Sequence, residues 1–99
     1  MVLIAILSYP PAGAKEIGKR FLALPPLPTY ITRKGPYFSS EIGAGSKAIA
    51  IYEFDQSKLL EARENILNRL SKFFDVPGFT YSAHEWIEVK EALKIVGLG

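Results

Sequence analysis

Hydrophobic positions along this chain follow two rhythms: one nearly unbroken or alternating, the other recurring every three to four residues. "VLIAILSY", Val2 to Tyr9, is apolar almost throughout and is closed by Pro10-Pro11. That suits a strand buried on both faces. From Gly13 to Leu24 the rhythm changes. At about 100° per residue, Ala14, Ile17, Gly18, Phe21, Leu22 and Leu24 share a stripe opposite Lys15, Glu16, Lys19 and Arg20. The pattern predicts a helix that stops before "PPLP", residues 25–28, where proline cannot continue it. Thr29–Ser40 reads as a second strand, with Gly35-Pro36 marking a bulge or bend at an edge. "GAGS", Gly43–Ser46, reads as a turn. In the third strand, Lys47–Phe54, Ala48, Ala50, Tyr52 and Phe54 alternate with Lys47, Ile49, Ile51 and Glu53. Asp55 or Ser57 can cap a second helix running to about Phe74 and ended by "DVPG". Thr80–Glu88 reads as a fourth strand. Val89–Val96 is a last short amphipathic segment, with Gly97 in the position that commonly follows a helix end.

Strand, helix, strand, strand, helix, strand and a short helical tail predict an α+β chain: a ferredoxin-like βαββαβ domain spanning residues 1–99. Right-handed crossovers place both helices on one face of a four-stranded antiparallel sheet, with the fourth strand beside the first and the first beside the third. Side-chain alternation then gives the sheet two apolar faces. One carries Leu3, Ala5, Leu7, Ala48, Ala50, Tyr52, Phe54, Tyr81, Ala83 and Ile87. The other carries Val2, Ile4, Ile6, Ile49, Ile51, His84 and Trp86. Two helices cover only one face. The alanine-rich set is assigned to them because small residues allow close approach, and the isoleucine, histidine and tryptophan set is left to meet a partner.

Composition narrows the chemistry. A chain of 99 residues is one domain's worth, and its 48% hydrophobic content is generous for a small monomer. There is no cysteine, so disulfides, thiolate ligands and cysteine nucleophiles are excluded. The single histidine makes a zinc site implausible without several carboxylates around it, so no metal is expected. Net charge is only +2 and the basic residues are scattered, which argues against nucleic acid. "MVLIAIL" lacks the charged start and small-residue cleavage site of a signal peptide and is read as a strand. No segment reaches the ~20 apolar residues of a membrane span, so a cytoplasmic location is the expectation. "PPAGAKEIGKR" has neither a dinucleotide fingerprint nor a phosphate loop, and no cofactor is expected.

"VLIAILSY", "KAIAIYEF" and "YSAHEWIEV", in this order and with two apolar faces, resemble the dimeric α+β barrel superfamily. It includes antibiotic-biosynthesis monooxygenases, muconolactone isomerases and stress-responsive A/B barrel proteins. The resemblance covers the whole chain as order, length and two-faced hydrophobicity, without a specific motif. It implies a homodimer packed sheet to sheet, a C-terminal segment reaching onto the partner, and small ligands bound between helices and sheet. The chain departs from the haem-degrading members, whose functional histidine lies on a helix; His84 lies on a strand.

Five residues are candidates for ligand binding. Arg63 falls inside the apolar arc of the second helix, among Leu59, Leu60, Ala62, Ile66, Leu67, Leu70, Phe73 and Phe74. A charge there must be paired or reach water. Glu85 on the fourth strand is its available partner; the alternative is the anionic group of a ligand. Tyr52 can donate into the same gap. His84 and Trp86 point from one face of the fourth strand. They offer an acid–base group and a stacking platform, or else the core of a dimer interface, where tryptophan is enriched. "TRKGPYFSSE", residues 32–41, with Arg33 and Lys34, reads as a solvated edge strand protected by charge and proline. Three functions compete. The first is a cofactor-independent barrel that binds or transforms a small hydrophobic or acidic molecule. The second is a non-catalytic dimeric module. The third is an RNA-binding sheet, against which the aliphatic third strand argues.

Overall fold

The computed structural model describes residues 1–41 and 45–99. Strand β1 (Val2–Tyr9) leads through a 3-10 turn at Pro11–Gly13 into helix α1 (Ala14–Ala23). Strands β2 (Thr32–Glu41) and β3 (Gly45–Glu53) follow. A second 3-10 turn at Gln56–Lys58 opens helix α2 (Leu59–Ser71), then strand β4 (Thr80–Trp86) and helix α3 (Val89–Ile95) complete the chain. Of the turn expected at Gly43–Ser46, Gly43 and Ala44 lie outside the described residues; Gly45 and Ser46 open β3.

The boundaries follow local chemistry. Leu24 leaves α1 with ψ at 141°, because a residue preceding proline is pushed out of the helical region. Asp55 accepts a hydrogen bond of 2.9 Å from the Ser57 backbone N–H, anchoring the turn into α2. β4 ends at Trp86, two residues before the expected limit.

The four strands form one antiparallel sheet in the order β2-β3-β1-β4. β1 pairs with β3 through Ala5↔Ala50 and Leu3↔Tyr52, and with β4 through Ala5↔Ala83 and Leu3↔Glu85. The edge strand β2 pairs with β3, and its register shifts between Lys34 and Tyr37, at the bulge expected around Gly35-Pro36. Gly35 has φ +88°, and a Cβ on it would come within 2.9 Å of the Ile49 carbonyl oxygen, so glycine is required there. The bulge puts both Arg33, opposite Tyr52, and Phe38, opposite Ala48, on the same side of the sheet despite their odd spacing.

α2 packs on that side. Leu3, Ala5, Ile31, Ala50, Tyr52 and Phe54 form the main core with Ala62, Ile66 and Leu70. A smaller cluster of Tyr9, Ile17, Phe73 and Val76 sits beneath α1. The alanine-rich face is therefore the helix face. Its outermost members, Tyr81 and Ile87, stay exposed at the β4 edge. Leu22, assigned to the buried stripe of α1, is also exposed; Arg20 turns partly inward instead, bonded to Glu16, Asp75 and the Lys72 carbonyl. None of Val2, Ile4, Ile6, Ile49, Ile51, His84 or Trp86 joins either core cluster. α3 has no buried residue. No helix of the described residues is long and apolar enough to cross a membrane.

Candidate functional site

A cavity of about 120 Å³ lies between α1 and the sheet. Leu7 and Tyr9 of β1 and Ala48 and Ala50 of β3 form its floor. Small side chains at Ala48 and Ala50, two apart on one face, leave the space: Ala50 belongs to the main core with Ile66 and Leu70, and Ala48 does not. Ala14, Ile17, Gly18 and Phe21 of α1 make one wall, with Leu24 just beyond them. Leu70 and Phe73 make another, and Pro36 and Phe38 of the bulged edge strand close the side.

Besides the Tyr9 hydroxyl, three polar side chains, Tyr52, Arg33 and Arg69, interrupt these apolar walls. Tyr52 and Arg33 are register partners across β3 and β2. Arg69 descends from α2 and is buried, 9% exposed. It donates through Nη1 to the Pro25 carbonyl in the proline-rich segment, and its buried Nε has no hydrogen-bond partner. Arg33 stacks its guanidinium over the Phe21 ring, 5.2 Å from the centroid. Among the described residues, neither arginine pairs with a carboxylate.

Burial weakens the hold of Arg69 on its proton; Tyr52 partly offsets this, and the like charge of Arg33 adds to it. Burial also pushes the Tyr52 phenol up, against the pull of the Arg69 and Arg33 charges. The Tyr9 phenol is raised by burial as well. Both phenols are therefore protonated near neutral pH and act as donors rather than bases. Among the described residues lining the cavity there is no carboxylate and no imidazole. The arrangement can bind and orient a molecule; it presents no ordinary acid–base residue to one.

Of the five residues singled out from the sequence, Tyr52 alone lines this cavity. Arg63 takes the structural alternative and pairs with Glu85, with 43% of its side chain exposed against 28% for the glutamate. The Arg63 guanidinium, by hydrogen bonding first, holds the Glu85 carboxyl below its usual range, and burial opposes it. The pair lies at the β4 side of the helix layer. His84 and Trp86 project from the opposite face, both exposed. There the register sets Trp86 beside Val2 and His84 beside Ile4; across β3, Val2 meets Glu53, Ile4 meets Ile51 and Ile6 meets Ile49, with Lys34 and Tyr37 at the far edge. The centre of that face is aliphatic, and its exposed aromatics, Trp86 and Tyr37, lie on the two edge strands. Arg69 and Arg33 complete the polar end of the cavity. The sequence pattern gives no sign of the first and places the second on a solvated edge strand. Among the described residues, no three side chains of metal-ligating type gather.

A scan against protein-family models finds no match, and neither curated proteins nor solved structures yield one.

Proposed function

We propose that this protein binds a small, largely apolar molecule between α1 and the sheet, as a ferredoxin-like protomer of a dimeric α+β barrel. The observation that carries the reading is the cavity itself: a concave, apolar-walled space with a few convergent polar groups has the character of a ligand site. Its size, about 120 Å³, is close to the ~150 Å³ of an engineered apolar cavity that admits benzene. With no carboxylate or imidazole on its described walls, binding or carriage is favoured over transformation of the ligand.

Calorimetry with toluene as the probe tests this. The wild-type chain should take up one equivalent and melt higher in its presence. Ala48→Leu, which puts a larger side chain into the space, should itself stabilise the free protein by about 0.5–2 kcal/mol and abolish uptake. If toluene leaves the wild type unaffected and Ala48→Leu destabilises it, the space is not a ligand cavity.

The dimer rests on the other face of the sheet. Val2, Ile4, Ile6, Ile49 and Ile51 form an aliphatic centre flanked by Tyr37, Trp86 and His84 and by the Lys34–Glu53 ion pair, and Ile6 is 41% exposed. A patch of this kind in a small protein marks an interface, and a second copy packed face to face would cover it. The wild type should sediment as a dimer and Ile51→Glu as a folded monomer. A wild type that stays monomeric at high concentration would remove the barrel from the reading and leave the cavity untouched.

A further inference from the structure

We propose that the cavity selects a monocarboxylate: a ligand with an apolar body about the size of one aromatic ring and a single acid group held between Arg69 and Arg33. This rests on the ligand-cavity reading above and adds the ligand's charge and the residues that recognise it.

The argument begins with an electrostatic imbalance. Two guanidiniums lie at one end of an apolar space, and no carboxylate among the described residues answers either. Buried charges in folded proteins are ordinarily paired and hydrogen-bonded. Arg69 has a carbonyl dipole at Nη1 and the neighbouring Tyr52 hydroxyl but no carboxylate, and its Nε is buried with no partner. The bond to the Pro25 carbonyl holds one arm of the fork against the proline-rich segment and leaves the Nε side uncommitted. A carboxylate is planar, carries two acceptor oxygens and matches a guanidinium edge. One oxygen can take the part of the Arg69 guanidinium that lines the cavity, and the other can face Arg33, with the protonated Tyr52 hydroxyl a further donor.

The remaining walls argue against a larger anion. Beyond Tyr52, Tyr9 and the two arginines, the cavity is lined by Leu7, Ile17, Phe21, Leu70 and similar apolar side chains. A phosphate would bring more oxygens than these groups can satisfy, and an unsatisfied buried acceptor is unfavourable. Arg33 has little freedom to swing away, because its guanidinium is stacked on Phe21 of α1. The cation that meets the acid group is thus held in place by the helix that walls the apolar end.

The test uses the full chain and two probes of nearly the same shape, benzoate and nitrobenzene; both present a ring and a planar two-oxygen group, but only the first is charged. By titration calorimetry, benzoate should bind at least about tenfold more tightly than nitrobenzene, as one added charge-assisted contact would give. Arg69→Met should bring the two within about twofold of each other. Arg33→Gln, on an edge strand that tolerates a polar replacement, should weaken benzoate and leave nitrobenzene unchanged, and it serves if the Arg69 variant is ill-folded. Equal affinity of the wild type for both compounds overturns the acid selectivity while sparing the cavity. Binding of neither overturns this inference together with the reading beneath it.

Discussion

Ile66→Ala is expected to be the most damaging truncation on α2, costing about 2–5 kcal/mol of unfolding free energy as read by chemical denaturation. Ile66 is 0% exposed and lies in the main core with Leu3, Ala5 and Leu70. Its core neighbours include Ala5, Ala50 and Ala62, side chains too small to reach into the void, so the site has little capacity to collapse around it. A small domain has only about 5–15 kcal/mol of stability in total, so the variant would be a large fraction of the way to unfolding. Leu60→Ala is the control: Leu60 is on the same helix but 74% exposed, and its loss should stay within about 0.5 kcal/mol. Similar costs at both positions would mean that α2 presents a different face to the sheet.

The second large effect has the opposite sign. Arg69→Met should stabilise the ligand-free protein, by about 1–2 kcal/mol on the scale seen when buried charges give way to well-packed apolar side chains. In a domain of this length that corresponds to a rise of roughly 4–8 °C in Tm for each kcal/mol. The variant removes a desolvated charge, its unpartnered Nε and its repulsion of Arg33; what it gives up is the bond to the Pro25 carbonyl and the favourable contact with the Tyr52 hydroxyl. Pro25 is exposed, so that carbonyl can turn to water. A residue whose removal stabilises the fold is retained for something other than the fold. A lower melting temperature for Arg69→Met would instead make Arg69 a structural anchor of the proline-rich segment.

The contrast between Ile66, Arg69 and Arg63 shows where the sequence was informative. The element order, the helix-facing alanine set and the bulge at Gly35-Pro36 were all legible, because each rests on a local rule: alternation, proline, positive φ. The facing of α2 was not. Its apolar arc was drawn to include Leu60 and Phe74, both exposed, and their weight pulled its centre toward Arg63. The face that is buried runs through Ala62, Ile66, Arg69 and Leu70. On a wheel of about 100° per residue, Arg69 is only about 20° from Ala62, whereas Arg63 is about 100° away. Charge disguised it: an arginine one step outside a wide leucine arc looks like the solvent side. Arg33 was obscured differently. Its own strand reads as a polar edge, and only pairing with Tyr52 in the folded sheet turns it toward α1. The gap between helices and sheet was expected. Its placement under α1, rather than beside Arg63, depended on which helix came closer, and periodicity is silent on that.

The two helices are unequally rooted. α2 sinks Ala62, Ile66, Arg69 and Leu70 into the protein; α1 sinks Ile17 alone and leans on half-buried Phe21 and Leu24. What fastens its far end is Arg20, reaching to Asp75 and to the backbone at Lys72 on the protein's rim. On the proposed reading a ligand would pass α1, which the Phe21–Arg33 stack also ties to the sheet but whose far end is held by an ion pair lying in water. Screening ions should loosen that pair, so uptake of the proposed ligand should quicken with ionic strength in stopped-flow mixing; a salt-independent rate would place the entry elsewhere.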